Sequence, residues 1–280
     1  MFYTHWNPGY LTSDVFSGNV VHCFSARCGG VSTGYLESLN LGIHRGDDPA
    51  NVYENYRRLG AAAGFTPEQT VFTRQTHTDK VDRVGAGDRG VGLFQEVEPE
   101  RDGIYTNEPG VALVCFSADC TPILLHDPVR HAAAAVHAGW RGTALGIVLR
   151  CVEAMCRDFG TDPADLEAAI GPCIGQCCFE TGPEVPAAML EALGDEAAQF
   201  IRPAVQPGHS EGCKESESSS SADKYFPDLK QLNALWLRRA GVRKIDISNE
   251  CTRCHPDRYW SHRYTGPARG SMAAVIMLKD

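Results

Sequence analysis

Two histidines and a cysteine, all residue types that bind metals, occur in three short segments, and in two of these a proline or glycine lies two residues after the ligand. His77 ends Gln-Thr-His, Cys120 lies in Ala-Asp-Cys-Thr-Pro, and His137 begins His-Ala-Gly-Trp-Arg-Gly. Each segment follows an apolar, β-rich run, so we expect each ligand at the end of a strand, where a fold can bring distant residues together. Two imidazoles and one thiolate suit zinc and leave a fourth tetrahedral position open for water or substrate. This set therefore indicates a catalytic metal site.

Each of these residues also has an ordinary explanation. A lone histidine beside a strand is usually exposed or hydrogen-bonded, and a lone cysteine in an apolar context is usually a small buried hydrophobe. Local context favours the metal site over these alternatives. Cys120 lies in a tight turn between the apolar runs 111–116 and 123–125, and the nearby proline favours an extended backbone before it. His137 precedes a glycine-containing turn and a long amphipathic segment.

The strands and helices that must position these residues can be predicted from the periodicity of apolar residues and from glycine and proline at the ends of the runs. Apolar or β-branched runs predict strands at 20–26, 70–73, 80–84, 111–116, 131–136, 244–248 and 272–278. Recurrence at three and four residues predicts helices at 51–63, which ends at Gly64, at 143–159, and before Gly241. Strands and helices are mixed along the whole chain with no long break in composition, which predicts one domain.

Length and composition bound the classes of function. A chain of 280 residues can bury one large core, and we predict a single catalytic domain over residues 1–280. The net charge of −9 argues against a nucleic-acid partner, because binding to a phosphate backbone needs a basic face. The N-terminal sequence lacks a signal-peptide pattern and no stretch is long enough to cross a membrane, so we expect a cytoplasmic protein with no membrane partner. The serine-rich segment 206–223 is predicted to be a disordered surface insertion, and the oligomeric state stays open.

Taken together, the motifs of this chain resemble one known family over nearly its whole length. The matching segments are Arg-Cys-Gly-Gly-Val-Ser (27–32), Ser-Leu-Asn-Leu-Gly (38–42), Gly-Asp-Asp (46–48), Gln-Thr-His (75–77), Asp-Gly (102–103), Ala-Asp-Cys (118–120), His-Ala-Gly-Trp-Arg-Gly (137–142), Ile-Gly-Pro (170–172) and Ser-His-Arg (261–263). The family is known as polyphenol oxidase (laccase), peptidoglycan editing factor and purine nucleoside phosphorylase. The resemblance implies an α/β (α+β) fold of mixed β-sheets flanked by helices. It also implies that His77, Cys120 and His137 bind zinc at the active site.

The predicted metal site could support deamination of adenosine. Zinc bound by one thiolate and two imidazoles keeps a residual positive charge of about one and can lower the pKa of bound water towards neutrality. Asp119, next to Cys120, is a further candidate catalytic residue, which could move a proton or orient a ligand histidine. A turn residue that hydrogen-bonds local backbone explains Asp119 equally well.

Phosphorolysis of purine nucleosides, the second reaction that the resemblance implies, needs an anion site. The substrates would be phosphate and nucleosides of the adenosine, inosine, guanosine or methylthioadenosine type. Arg27 and Arg141 each precede glycine, and guanidinium groups together with backbone amides at a helix start can cradle phosphate. Asn40 could bind ribose or base. Each residue also has a structural explanation. Arg27 could form a surface ion pair, Arg141 could be a cation at a helix start, and Asn40 could be a turn residue.

His262 and Arg263 could line the same substrate pocket. This segment departs from the family pattern, because the family often has a second arginine where this chain has Tyr264. The departure weakens the prediction for His262 and Arg263 and leaves the predicted metal site unaffected.

Two other classes of function compete with the nucleoside enzyme. A copper-dependent phenol oxidase would need a copper cluster, and the chain contains no His-X-His pair of the kind that multicopper oxidases use. Copper could still replace zinc at a soft site in vitro. A cysteine hydrolase or amidase that edits peptidoglycan precursors would use Cys120 as nucleophile and His137 as base. Because these residues cannot be metal ligands and a free dyad at once, a metal assay separates the two hypotheses.

The chain contains 12 cysteines, which is many for a protein without a visible export signal. A secreted disulfide scaffold would be shorter, so we predict that most of these cysteines are reduced and buried. Cys173, Cys177 and Cys178 follow Ile-Gly-Pro closely, and a local redox or metal role for them stays open.

Cys251, Cys254 and His255 match the pattern of c-type haem attachment. Haem attachment normally requires export, and the resembling family commonly carries a Cys-Thr pair here without haem. We therefore favour a turn after the strand at 244–248, with the second cysteine incidental. A structural zinc at this pair would need two more ligands, and His255 is the one candidate near it in sequence.

Overall fold

Two six-stranded mixed β-sheets pack face to face, and helices cover both outer faces. This computed structural model describes residues 1–18, 20–97, 99–204 and 224–280. The arrangement confirms the predicted α/β class of mixed sheets flanked by helices. The insertion predicted at 206–223 lies outside the described residues.

The chain places β1 to β4 in the first sheet and then passes between the two sheets several times. They are β1 (Phe2–Trp6), β2 (Gly9–Ser13), β3 (Val20–Ser25), β4 (Thr70–Phe72), β5 (Val81–Arg83), β6 (Gly103–Thr106), β7 (Ala112–Ser117), β8 (Thr121–Asp127), β9 (Ala132–Ala138), β10 (Glu167–Ile170), β11 (Ile201–Pro203), β12 (Tyr225–Pro227), β13 (Lys244–Ile247) and β14 (Met272–Leu278). The first sheet has the order β1-β2-β3-β14-β7-β4, the second has the order β13-β10-β8-β9-β6-β5, and β11 pairs with β12. The pairs β4–β7, β5–β6 and β10–β13 are parallel.

The helices lie mainly outside the two sheets. They are α1 (Pro49–Ala63), α2 (Trp140–Ala144), α3 (Ile147–Phe159), α4 (Glu184–Leu193), α5 (Leu229–Ala240) and α6 (His262–Thr265). Helix α1 packs on the first sheet, and α3 and α5 pack on the second. Asp48 caps α1 by accepting a hydrogen bond from the amide of Ala50, and Gly64 ends the helix in the left-handed conformation with φ 101°. Within the described residues, no helix is both long and apolar enough to cross a membrane.

The alanine-rich run 132–135 is a strand because both faces of β9 are buried. Ala133 and Ala135 point into the core between the sheets, and Ala134 and Val136 point towards the helices. Small side chains on the inner face let the first sheet approach closely. This confirms the strand predicted at 131–136, although alanine alone favours helix.

The single helix predicted at 143–159 is two helices in the structure. Helix α2 ends at Ala144, and α3 begins at Ile147. Gly146 lies between them with φ 71°, a left-handed conformation that interrupts the regular pattern of helical hydrogen bonds. The amphipathic spacing continues across this break, which is why the sequence pattern did not reveal it.

The chain crosses from the first sheet to the second at two places that matter for the predicted site. One crossover joins β4 to β5 and carries His77, and the other joins β7 to β8 and carries Cys120. His137 lies on β9, next to β8 in the second sheet. The paired sheets therefore bring three segments that are distant in sequence to one edge of the sandwich.

Candidate metal centre

The three predicted ligands meet in space. One ligand atom from each of His77, Cys120 and His137 lies within 4.8 Å of the others. Cys120 Sγ is 3.6 Å from His77 Nε2, and the two imidazole rings lie with their centroids 5.0 Å apart. His77 is exposed, Cys120 is half-buried and His137 is buried, so the cluster is closed on one side and open on the other. This geometry fits a metal that keeps one accessible position.

Asp102 holds both ligand histidines in place. Its Oδ1 lies 2.7 Å from His137 Nδ1, so the other ring nitrogen of His137 is the one that faces the cluster. The carboxylate also accepts hydrogen bonds from the amides of Thr76, His77 and Thr78 and from the Thr78 hydroxyl. Burial opposes ionisation of Asp102, but the hydrogen bond and charge of His137, together with Thr78, lower its pKa to about 2. Carboxylate–histidine pairs of this kind orient metal ligands in known sites.

The backbone around the cluster adopts unusual conformations that leave space for the ligands. His77 has φ 64°, which costs a non-glycine residue about 1–2 kcal/mol unless other contacts compensate. The hydrogen bonds to Asp102 supply that compensation. A Cβ at Gly139 would lie 2.5 Å from His77 Cδ2 and 3.2 Å from Cys120 Sγ. Glycine is therefore required at position 139 for the ligands to converge.

The metal-free cluster favours ionised groups. Burial would raise the pKa of the Cys120 thiol, but the charge and hydrogen bond of His137, together with His77, lower it to about 6. Burial would lower the pKa of His137, but Cys120 and Asp102 raise it to about 9. The thiolate is the form of cysteine that binds a metal. The surroundings of Cys120 therefore prepare it for metal binding near neutral pH.

A cavity of about 1030 Å³ opens above the three ligands. Its walls combine aromatic side chains with cationic ones, from the segment before α1, from α1 itself, from the segments after β4, β5 and β7, and from the segment before β14. Among the lining residues are Arg45, Arg74, Arg269, Tyr53, Phe94, Phe116, His44 and Gln75. Tyr53 and Phe94 are partly exposed and lie edge to face with centroids 5.9 Å apart. The cavity therefore offers aromatic surface and positive charge beside the metal ligands.

Two half-buried arginines in this cavity lack a carboxylate partner. Arg45 Nε and Arg269 Nη1 both hydrogen-bond the Ser271 hydroxyl, which holds the two guanidinium groups close together. Within the described residues, neither forms an ion pair with an acidic side chain. Burial and the charge of Arg45 lower the pKa of Arg269 to about 10. Two desolvated like charges without an acidic partner favour binding of an anion. Nothing in the local sequence marked these arginines, because only the fold brings position 45 beside position 269.

The arginine and asparagine predicted to bind phosphate and ribose lie outside the lining of this cavity. Arg27 packs its guanidinium over the Trp260 ring at 3.8 Å and donates to the carbonyl oxygens of Pro256 and Glu37. Asn40 is fully buried, and its amide bonds Gly42, Asp47 and Ser271. Both side chains organise loops, and the geometry does not favour a direct substrate contact for either.

The other predicted substrate residues are also separate from the cavity lining. Arg141 is exposed and lies over the Trp140 ring at 4.2 Å. His262 is exposed, with its Nδ1 3.4 Å from Arg269 Nε. The Arg263 guanidinium donates to the carbonyl oxygens of Cys178 and Glu180. His262 is thus near the cavity through Arg269, whereas Arg141 and Arg263 have other contacts.

The Asp119 carboxylate hydrogen-bonds two neighbouring segments, and its partners there are Thr252 and Arg263, not the ligand histidines. Its Oδ1 accepts from the Thr252 hydroxyl at 2.6 Å, and its Oδ2 accepts from the amide of Arg263 at 2.6 Å. Its carbonyl oxygen accepts from the amide of Ile174. These bonds stabilise the left-handed backbone of Asp119, with φ 90°, directly before Cys120. Asp102 takes the orienting position that sequence reasoning had considered for Asp119.

The fold and the site together define a two-sheet α/β protein with a candidate His-Cys-His metal centre beside two crossovers between the sheets. Comparison with known proteins gives the family. The model of the family described as multi-copper polyphenol oxidoreductase laccase matches residues 21–279. The chain belongs to this family.

Several proteins named as purine nucleoside phosphorylases are similar to this chain. It is 36% identical over 265 residues to purine nucleoside phosphorylase YlmD of Geobacillus stearothermophilus, which covers 93% of this chain and 90% of that protein. It is 34% identical to purine nucleoside phosphorylase YfiH of Escherichia coli K12 over 263 residues, or 92% of this chain and 94% of that protein. The match to purine nucleoside phosphorylase LACC1 of Mus musculus, 32% identical, covers 96% of this chain but 58% of the mouse protein. The crystal structure of the Geobacillus protein has a TM-score of 0.83 at 34% identity and covers 100% of this chain and 99% of that one.

Proposed function

We propose that this protein is a zinc-dependent purine nucleoside enzyme, which cleaves nucleosides with phosphate and also deaminates adenosine. The observation that carries this proposal is the shared cavity, in which the three ligands lie beside the Arg45–Arg269 pair and the aromatic surface of Tyr53 and Phe94. The names of the similar proteins, which are purine nucleoside phosphorylases, support the same reaction class.

The donor set fits a zinc ion. His77, Cys120 and His137 would hold the ion, Asp102 fixes the tautomer of His137, and Gly139 leaves the space that the ligands need. When bound, zinc would supply a Lewis acid with one open position, able to polarise a substrate or activate water. Copper would bind the same soft ligands in vitro.

The arginine pair accounts for the use of phosphate. In phosphorolysis a phosphate oxygen forms a bond to C1′ of the ribose while the bond from C1′ to the purine nitrogen breaks. The purine leaves with the electron pair and takes up a proton. Arg45 and Arg269 would hold the phosphate dianion and orient its attacking oxygen, while Tyr53 and Phe94 would pack against the flat base. Deamination of adenosine needs no phosphate, because water attacks C6 of the base and ammonia leaves.

This difference between the two reactions gives a direct test. We expect Arg269→Ala to raise the KM for phosphate in inosine cleavage by about tenfold or more, because a charge-assisted hydrogen bond contributes about 1.5–3 kcal/mol. Adenosine deamination should fall less. The matched control is Arg141→Ala, which removes an exposed arginine outside the cavity lining and should leave the phosphate KM unchanged. An unchanged phosphate KM in both Arg45→Ala and Arg269→Ala would contradict the proposed phosphate site.

A second candidate function would use the same residues without a metal. Cys120, His137 and Asp102 form a thiol–imidazole–carboxylate series in which the pKa of Cys120 is lowered to about 6. Such a series could act as a cysteine hydrolase or amidase. Exhaustive chelation separates the two functions. Loss of activity that zinc restores supports the zinc enzyme, and activity that survives chelation supports the cysteine nucleophile.

A further inference from the structure

Four cysteines outside the His-Cys-His centre converge beside the ends of two neighbouring strands. Cys177 and Cys178 follow β10, and Cys251 and Cys254 follow β13. The two strands are parallel, and a β-bridge between Cys173 and Cys251 extends their alignment past the strand ends. Because parallel strands end at the same edge of a sheet, the two following loops run side by side. Residues some 75 positions apart in the chain thereby reach one point.

The distances between the sulfur atoms fit a single small ion. All four Sγ atoms lie within 4.8 Å of one another, and Cys254 Sγ is 3.6 Å from Cys177 Sγ and 3.4 Å from Cys178 Sγ. Tetrahedral zinc with Zn–S bonds of about 2.3 Å places its sulfur ligands about 3.8 Å apart. All four cysteines are free thiols. The cluster needs only small side-chain adjustments to reach this geometry.

The groups around the cluster are those that a set of thiolates requires. The amide of Gly175 donates to Cys251 Sγ at 3.1 Å, and the Arg253 guanidinium donates to Cys178 Sγ at 3.5 Å. A Cβ at Gly175 would lie 3.2 Å from Cys177 Sγ and 3.4 Å from Cys251 Sγ. The missing side chain thus gives the cysteines room, while the amide and the arginine offset negative charge on sulfur.

We propose that Cys177, Cys178, Cys251 and Cys254 bind a structural zinc ion, at a site separate from the His77–Cys120–His137 centre. Four thiolates complete a tetrahedral shell and leave no position for substrate, which distinguishes a structural zinc from a catalytic one. Thiolate-only tetrahedral ligation selects zinc or iron among common metals. The C-x2-C spacing at 251–254, which had matched a haem pattern, is also typical of one half of a zinc site.

The proposed ion would stabilise the loops that support the active site. Thr252, between the two ligands of the second loop, donates to Asp119 Oδ1, and Ile174 of the first loop donates its amide to the Asp119 carbonyl. Asp119 directly precedes Cys120. Arg263, whose amide also bonds Asp119, donates to the carbonyl of Cys178. An ion bound by the four cysteines would therefore fix the loops that hold Asp119, and through Asp119 it would fix the position of Cys120.

The test is elemental analysis of protein purified anaerobically without added metal. We expect about two zinc ions per chain in the unaltered protein and about one in the double variant Cys177→Ser/Cys254→Ser. His137→Ala should also hold about one, and combining both sets of changes should leave almost none. Both substituted cysteines are exposed, so the change itself leaves no core cavity. Cys156→Ser, which alters a half-buried cysteine on α3, is the matched control and should retain both ions.

Cobalt substitution gives a second readout that does not depend on activity. The His137→Ala protein reconstituted with Co(II) should show the intense visible and thiolate charge-transfer bands of tetrahedral thiolate coordination, and adding Cys254→Ser should weaken them. Zinc content that is the same with and without Cys177 and Cys254 would overturn the proposal. Iron in place of zinc, or a disulfide among these cysteines in the anaerobic protein, would overturn it equally.

Discussion

At the scale of single residues, one carboxylate organises the candidate active site. Asp102 bonds the ring of His137 and three consecutive amides that include that of His77. The ligands themselves were predictable because histidine and cysteine are metal-binding residue types that lie here in recognisable local motifs. The role of Asp102 was not predictable, because an Asp-Gly pair is typical of a turn and the hydrogen-bond partners of Asp102 come from other parts of the chain. The paired arginines at positions 45 and 269 escaped prediction for the same reason.

We expect Asp102→Asn to weaken zinc binding by about 10- to 100-fold, because the amide offers His137 one acceptor and no charge. The amide NH2 would also face backbone donors that now point at a carboxylate. Competition with a chromophoric chelator measures the affinity.

The matched control for this variant is Asp127→Asn. Asp127 is also fully buried and accepts hydrogen bonds from the amides of Val129 and Arg130, but it lies at the far end of β8. Its variant should lose stability and keep its zinc affinity. Equal zinc affinities in the protein with Asp102 and in Asp102→Asn would show that the carboxylate does not act on the ligands.

At the scale of elements, the sequence predicted strands better than it predicted their connections. The runs at 111–116 and 272–278 became β7 and β14 because each is apolar on two almost wholly buried faces. The run at 20–26 became β3, which buries one face fully and the face that carries His22 in part. The break at Gly146 was missed because the spacing of apolar residues does not change when a single residue adopts a positive φ. The assignment of each strand to one sheet was also beyond prediction. That assignment depends on contacts between sheets, and it decides which crossovers carry the ligands.

Strand β3 carries a histidine that should make the protein sensitive to acid. The Nε2 of His22 accepts a hydrogen bond from the amide of Ser13 at 2.9 Å, and the ring lies against Phe16. Burial, together with the nearby His126 and His5, lowers the pKa of His22 to about 4. An unfolded histidine titrates near 6.5. Between these values the unfolded state binds more protons than the folded one, so stability falls as the pH drops from about 6.5 to about 4.

We expect His22→Gln to reduce this acid sensitivity, because glutamine can still accept the Ser13 hydrogen bond and does not titrate. Urea denaturation at pH 7, 6 and 5 measures the free energy of unfolding at each pH. The exposed His44, which is not among the groups that act on His22, supplies the control His44→Gln, which should keep the original slope. Parallel slopes for His22→Gln and the unaltered protein would mean that His22 binds protons equally in the folded and unfolded states, which would contradict its lowered pKa.

At the scale of the whole molecule, both candidate metal clusters lie where strands of the second sheet end or begin, and Asp119 connects them. Thr252 and Ile174, from the loops of the four-cysteine cluster, hold Asp119, which precedes Cys120. Sequence alone could not pair Cys251 and Cys254 with Cys177 and Cys178, because the nearest candidate ligand along the chain was His255. Parallel pairing of β10 with β13 supplies the missing pair. A single catalytic domain over residues 1–280 stays a prediction, which the core shared by the two sheets supports.

The family description as a multi-copper laccase raises a question about the whole protein, namely whether it can oxidise phenols. A multicopper oxidase needs several coppers close together to collect the electrons that reduce oxygen to water. Within the described residues, metal-capable groups of histidine, cysteine and acidic side chains form two clusters, one with two histidines and one with none. Neither resembles a histidine-rich copper cluster. A single copper beside Cys120 would turn over slowly or oxidise its own thiolate ligand.

We therefore expect no phenol oxidation from the zinc-loaded protein and at most slow, self-inactivating oxidation after copper loading. The measurement is phenol oxidation and inosine cleavage on one preparation, divided and loaded with zinc or copper, with metal content determined for each portion. Cys120→Ala is the informative variant, because it should abolish inosine cleavage with zinc and the slow oxidation with copper alike. Sustained phenol turnover with several coppers per chain, together with no inosine cleavage in the zinc form, would restore the oxidase and exclude the nucleoside enzyme.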